Sequence, residues 1–486
     1  MNDQNLQSKV LSSLIWKSFE RTGAKIIAFI VSIILARLLS PDDYGAIALI
    51  TIFTAVAQVF IQGGFTQALI QKKDTDDLDY SSVFYCSLSI SIILYLLIYF
   101  IIAPCVAVFY EMPILTDVLR VLSLTIVIGT YNSMQNTLLA KKLLFKKLFW
   151  SSFGSIIFAG ILGVVFAYAG FGVWALVAQQ LSAVIMTSII MTFTIKWRPK
   201  LLFSLARLKV LFGFGWKLLC SGLIEEIYQN VYSLIIGKKY SSANLAYWNR
   251  GKQFPMIIVD NINNSINAVM YPVMAEVQEE RDKLKAIVRR SIKMSAYLLF
   301  PSMMGLAICA EPVVSILLTD KWLECVPYLQ GWCFCYAWYP IHTVNLQAYK
   351  AMGRSDIFLK LEIVKKIVGI TVLCITLPFG LWTMMCGMFG ATILSCIINS
   401  FPNSKLLKYG YLSQIKDLFP SILLTCGMGV CVWAISLIGL STILTLVLQV
   451  VVGAVVYLVG SIIFKLEAYT YVMGIIKSLI RKKEKI

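Results

Sequence analysis

The stretch Ser32–Ile50, SIILARLLSPDDYGAIALI, runs from one apolar segment through the polar-centred connector Ala36–Gly45 (ARLLSPDDYG) into a second apolar run that closes at Ile70. The pattern returns: Ser233-Leu234-Ile235 leads through Gly237–Ala246 (GKKYSSANLA) into another apolar run, closing at Tyr271. Both the openings (233 − 32) and the closings (271 − 70) are 201 residues apart. A duplicated set of apolar hairpins predicts two related membrane bundles, and repeat-built transporters bind their cargo where the repeats meet. The expectation is movement of something across a bilayer, not chemistry upon it.

Composition agrees. Hydrophobic residues make up 59% of the 486 and charged residues 14%, against roughly 25% charged in soluble domains. One soluble core has no room for so much apolar surface, so the surplus faces lipid. A span needs ~20 apolar residues to cross ~30 Å of hydrocarbon, and about fourteen stretches meet that criterion. The fold class predicted is therefore all-α and polytopic. Polar MNDQNLQSK at the start does not read as a cleavable signal, so the first span is expected to be retained.

The net charge of +18 is sorted by side. Lys72 and Lys73, Lys141 to Lys147, Lys196 to Lys209, Arg281 to Arg290 and Arg481 to Lys485 fall on one set of connectors. The other set holds only Arg37, Lys238, Lys239, Arg250, Lys252 and Lys321. This positive-inside bias predicts both termini in the cytoplasm. Spread over separate loops, the charge does not make a nucleic-acid stripe. The twelve cysteines sit mostly inside spans as small apolar side chains, and with one histidine, His342, no metal-ligand spacing arises. There is no GxxxxGK[ST] and no HExxH, so neither cofactor nor catalytic activity is expected.

The repeat predicts an N-terminal lobe over 1–195, a basic linker at 196–209 lying as a helix on the inner leaflet, and a second lobe over 210–400. Residues 401–486 add two spans and a basic tail. Asn136–Lys147 parallels Asn345–Asp356 at offset 209, which extends the match to the fourth spans. Gly213-Phe214-Gly215, opening the seventh span, is a hinge candidate.

Ionisable groups inside a bilayer cost at least ~2.5 kcal/mol at mid-depth and therefore face a partner or a cavity. Arg21 and Lys25 share one helix face at i and i+4. The repeat register sets Lys25 opposite Glu225 or Glu226. Arg21 and Lys25 read either as snorkelling groups at the inner interface or as a site for an anionic head group, a planar fork plus a mobile point charge. Asp260, Asn261 and Asn264 crowd one span, with Asn132, Gln135 and Asn136 in another and Asn345 in a third. Such amides serve either interhelical bonding or sugar hydroxyls.

Ile15-to-Phe53, around ARLLSPDDYG, resembles the first two spans of the polysaccharide-transport branch of the multidrug/oligosaccharidyl-lipid/polysaccharide exporters. GGFTQALIQKK (Gly63–Lys73), FGVWALVAQQL (Phe171–Leu181) and YWNRGKQFP (Tyr247–Pro255) support the likeness over nearly the whole chain. It is similar to Wzx-type exporters for colanic acid and O-antigen. The resemblance implies a V-shaped fold of two six-helix lobes plus two helices, alternating access, and an undecaprenyl-diphosphate-linked oligosaccharide as cargo. It implies a bacterial cytoplasmic membrane and action beside a polymerase and glycosyltransferases. Arg21 and Lys25 match its cavity cations, while Thr22 after Arg21 departs from the lipid II flippases. An ion-driven cycle with H+ or Na+ would use Glu225, Glu226 or Asp260. A multidrug antiporter and a membrane-embedded polymerase are the competing readings.

Overall fold

The structure is a computed structural model that describes residues 23–62, 64–72, 74–142, 144–471 and 473–474. Arg21 lies outside these, as does the side chain of Asn264. Among the described residues there are helices and no strands, as the all-α expectation requires. The chain divides into two compact units, Met1–Ala246 and Tyr247–Ile486.

The first unit contains α1 (23–38), α2 (Pro41–Gln62), α3 (Phe65–Gln71) and α4 (Asp77–Leu97), the last running through a π-turn at Ile98–Ile102 into α5 (Ala103–Tyr110). Then follow α6 (Ile114–Leu122), α7 (Leu124–Lys141), α8 (Phe145–Tyr168), α9 (Val173–Thr194) and α10 (Leu205–Lys239). α11 (Ser242–Glu276) leads into the second unit, made of α12 (Arg281–Ile308), α13 (Ala310–Leu318), α14 (Val326–Ala337) and α15 (Tyr339–Ala351). It ends with α16 (Ser355–Thr376), α17 (Leu381–Leu406), α18 (Tyr411–Ser436) and α19 (Thr442–Ile463).

Among the described residues, nine helices are long and apolar enough to cross a bilayer. Helices α10, α11, α14–α15 and α16 also lie where the sequence places spans but are shorter or more polar, and 23–38 is the described part of another. α19 displays how such helices sit in lipid. Gln449, Gly453, Tyr457, Gly460 and Ser461 are buried on one side, while Val447, Val450, Val451, Val455 and Ile462 lie exposed on the other. Polar and small residues point inward and branched apolar ones outward, the reverse of a soluble helix, because hydrocarbon is the solvent.

The linker differs from expectation. Residues 195–204 are extended, not helical. Pro199 has no amide hydrogen to donate, and the neighbouring amides find side chains: Lys200 N donates to Ser81 Oγ (3.1 Å) and Ser204 N to Ser82 Oγ (2.9 Å). Trp197 meets Tyr80 edge to face. Ser204 then caps α10, accepting from Arg207 N. Basic spacing alone could not distinguish this strap from a surface helix.

Two charges counted with the connectors lie within a helix. Arg250 and Lys252 are inside α11, over the rings of Trp322 and Trp332 at 5.1 Å each. Arg250 is buried and donates to Gln253. Gly251 lets α14 approach, since a Cβ there would stand 2.7 Å from the Leu329 amide nitrogen.

Candidate functional site

ARLLSPDDYG is the start of a helix and a docking surface at once. Ser40 is the N-cap of α2: its Oγ accepts from Asp43 N at 3.2 Å, and Asp43 Oδ2 accepts from Ser40 N at 3.0 Å. This reciprocal pair, with Pro41 at the first helical position, ends the connector sharply. Ser241, 201 residues on, caps α11 in the same way by accepting from Asn244 N. The two starts touch. Ser242 Oγ donates to Asp42 Oδ1 at 2.6 Å, and Gly45 packs directly on the Ser242 carbonyl, leaving no space for a Cβ.

From there α2 and α10 run antiparallel, and glycine lets them close at intervals. Gly237 faces Leu49, Gly222 faces Val59, and at the far end Gly64 meets Gly215 backbone to backbone. A Cβ on Gly64 would lie 2.8 Å from the Gly215 carbonyl oxygen, and one on Gly215 would lie 2.7 Å from that of Gly64. Small residues of this kind are what bring membrane helices into contact.

Beyond Gly64 the basic end is tied electrostatically. Asp79 is fully buried and receives Lys72 Nζ at 2.5 Å and Arg207 Nη1 at 3.2 Å. It also closes a capping box with Asp76 at the start of α4. The Asp79 amide, donating to Asp76, holds that carboxyl below the usual carboxylate range. Lys200 adds an ion pair to Asp77 at 2.6 Å. The strap and the head of α10 are thereby fastened to α4.

Between these ends both helices carry polar side chains. On α10, Glu225 accepts from Gln229 (2.7 Å) and Glu226 from Asn230 (2.9 Å). On α2, Gln62 donates to Gln58 at 2.8 Å. Lys25 on α1 and Lys217 on α10 are exposed. Together these supply cations, carboxylates and amides within the first unit. Arg21, the intended companion of Lys25, falls outside the described residues.

The other predicted amides divide by surroundings. Asn132 donates to Val184 O (3.0 Å) and accepts from Ser188 Oγ (2.8 Å), while Gln135 donates to Trp197 O. Both are buried and stitch α7 to α9 and the strap; Asn136 beside them is exposed. In the second unit Asn345 is fully buried. Its Nδ2 donates to Gln414 Oε1 at 3.0 Å, and its Oδ1 accepts from Gln414 Nε2 (3.0 Å) and Asn403 Nδ2 (2.7 Å). This knot joins α15, α17 and α18. Asn261 is exposed and donates to Ile257 O, and Asp260 is half-buried on the same helix.

Asn345→Leu is therefore expected to lower stability by about 2–3 kcal/mol, because two buried amides lose their partner. The fraction that folds should retain transport, as comparison of thermal midpoint with transport per folded molecule would reveal. A stable variant lacking transport would give Asn345 a cargo role instead.

Several contributors escaped the sequence. Gly64 and Gly45 matter through their backbone and Asp79 through a partner 128 residues away; Gly215, read as a hinge candidate, matters through its contact with Gly64. Only the SPDD cap had a local signature, readable as Ser at N-cap, Pro at N1 and Asp at N3.

A set of long apolar helices, with polar and small residues turned inward on α19, and a duplicated helix start define a multi-pass membrane fold. Residues 34–327 match the model of a family described as "Polysaccharide biosynthesis protein", and the chain belongs to that family. It is 23% identical over 465 residues to the teichuronic acid biosynthesis protein TuaB of Bacillus subtilis (strain 168), covering 93% of this chain and 95% of TuaB. It is 20% identical over 395 residues to the lipopolysaccharide biosynthesis protein WzxC of Escherichia coli (strain K12), covering 80% and 78% respectively. The solved lipid II flippase MurJ, in an inward closed conformation, matches with a TM-score of 0.76 at 17% identity, over 93% of this chain and 98% of MurJ. The resemblance to the polysaccharide-transport branch is thereby borne out, and the fold is that of MurJ.

Proposed function

We propose that this protein is a flippase that carries a lipid-diphosphate-linked oligosaccharide from the inner to the outer leaflet of a bacterial cytoplasmic membrane. Both termini lie on the cytoplasmic side, and the cycle is alternating access without catalysis of bond changes. The observation that carries this reading is the set of charged and amide side chains borne by α2 and α10, two packed helices of a membrane bundle. Such groups are costly in lipid unless they serve a polar cargo. A diphosphate faces the same penalty and needs the same shelter. Family membership and the names of TuaB, WzxC and MurJ support the direction.

In this reading Arg21 and Lys25 hold the diphosphate, and Asn136, Asn261 and Asn264 offer bonds to sugar hydroxyls. Asn132, Gln135 and Asn345 shape the walls. Glu225, Glu226 and Asp260 couple movement to H+ or Na+. The polymerase and glycosyltransferases of the same polysaccharide act on either side of it.

The test is a deletion strain analysed by mass spectrometry of undecaprenyl-linked intermediates. Single lipid-linked repeat units should accumulate, whereas a polymerase deletion would still export them. In the complemented strain, Arg21→Ala and Lys25→Ala should each lower surface polysaccharide at least tenfold with the protein still in the membrane. Normal polysaccharide in both removes the head-group site. Glu225→Gln/Glu226→Gln should flatten the pH dependence of flipping in liposomes; an unchanged profile removes the coupling role.

A further inference from the structure

The second unit contains a crevice, unrelated to the α2–α10 face, that has the make-up of a lipid site. A cavity of about 710 Å³ opens between the C-terminal end of α12, α13, and the ends of α18 and α19 that their connector joins. That size lies within the ~300–1,000 Å³ usual for small-molecule pockets. It shares Met304, Ala307 and Phe334 as lining with an adjoining narrower slot of about 190 Å³. The slot is enclosed by Phe300, Met303, Phe389 and Ile422 and is apolar. An oily slot below a polar mouth has the polarity of an amphiphile.

The mouth selects among amphiphiles. Glu311 and Asp320 line it, with the hydroxyls of Ser436, Thr442 and Thr445, and none of the described residues lining it is basic. Deeper in, Gln449 is 2% exposed; its Nε2 donates to Val432 O, but its Oε1 accepts no hydrogen bond. A buried carbonyl without a donor costs roughly 1–3 kcal/mol, so a ligand that brings one is favoured. Trp433, half exposed at the rim, is the side chain that settles at the boundary of hydrocarbon and head groups.

We propose that this crevice binds a bilayer lipid whose head carries a primary ammonium group, with an acyl chain in the Phe300–Phe389 slot. An ammonium has three donors and no acceptor, which matches carboxylates, hydroxyl oxygens and the Gln449 carbonyl. A head with only negative charge is repelled by Glu311 and Asp320. This crevice is therefore a poor seat for the diphosphate of the proposed cargo, and the two sites are separate.

The experiment uses the full chain in nanodiscs of equal phosphatidylethanolamine and phosphatidylglycerol with a trace of undecaprenyl phosphate. Lipid retained after detergent exchange is read by native mass spectrometry. One phosphatidylethanolamine per chain is expected, enriched at least fivefold over phosphatidylglycerol. Glu311→Gln/Asp320→Asn and, separately, Gln449→Leu should bring that enrichment towards parity, and Ala307→Trp should eject the lipid by filling the junction. Equal retention of both phospholipids by the wild type, or preferential retention of undecaprenyl phosphate, overturns the proposal. So does full enrichment in both the carboxylate and the Gln449 variants. Because the readout is retained lipid, it is independent of whether the protein flips its proposed cargo.

Discussion

Leucine at Gly64 or Gly215 is expected to lower surface polysaccharide more than tenfold while the protein still accumulates in the membrane. The two glycines meet through their backbones, and even a methyl group on either would enter the other's carbonyl at under 3 Å. Gly215 is fixed inside α10 and Gly64 caps α3 directly after α2, so the two segments must separate at this end. Overpacking of this sort typically costs 1–3 kcal/mol, which disturbs one arrangement of the pair without unfolding the bundle. Gly213 provides the control: nothing lies within 4 Å of the Cβ it would gain. Gly213→Ala should export normally, and helix propensity favours alanine by ~1 kcal/mol. Wild-type export by Gly215→Leu would mean that the contact has no part in the cycle.

Removing the Asp79 carboxylate is expected to have the largest effect on stability. Asp79 is fully buried between Lys72 and Arg207 and helps to cap α4. Truncating one member of a buried ion pair costs about 3–5 kcal/mol. Since both cations are part-exposed and screened by solvent, about 3 kcal/mol is the better figure for Asp79→Ala. A thermal-shift series should place Asp79→Ala well below wild type and Arg207→Ala between them. The double variant should fall short of the sum, as it does for residues that share one interaction. Additive losses would mean that the two groups act separately.

How much of this was legible beforehand depends on the range of the interaction. The all-α membrane class followed from hydropathy, and the duplicated hairpin from the 201-residue offset, because period and composition are local properties. Ser40 and Ser241 then proved to cap their helices alike, as that offset implies. The strap at 195–204 was not legible: a run of basic residues suits a surface helix equally well, and Ser81 and Ser82, which hold it, are over a hundred residues away. Amides posed the same difficulty. Asn132, Gln135 and Asn345 bond to other helices while Asn136 and Asn261 are exposed, and residue type cannot separate those fates. Arg250 and Lys252 looked like loop charges because stacking on Trp322 and Trp332 leaves no trace in spacing.

The first unit is fastened differently at the two extremities of α10. Around Gly45 the closure rests on a glycine seated against a peptide carbonyl, a steric fit that dissolved ions do not weaken. Around Asp79 the strap and the head of α10 are held to α4 by opposite charges, which a Debye length of ~8 Å at physiological ionic strength attenuates where they are exposed. Added salt should therefore loosen that anchorage and leave the glycine seat as it was.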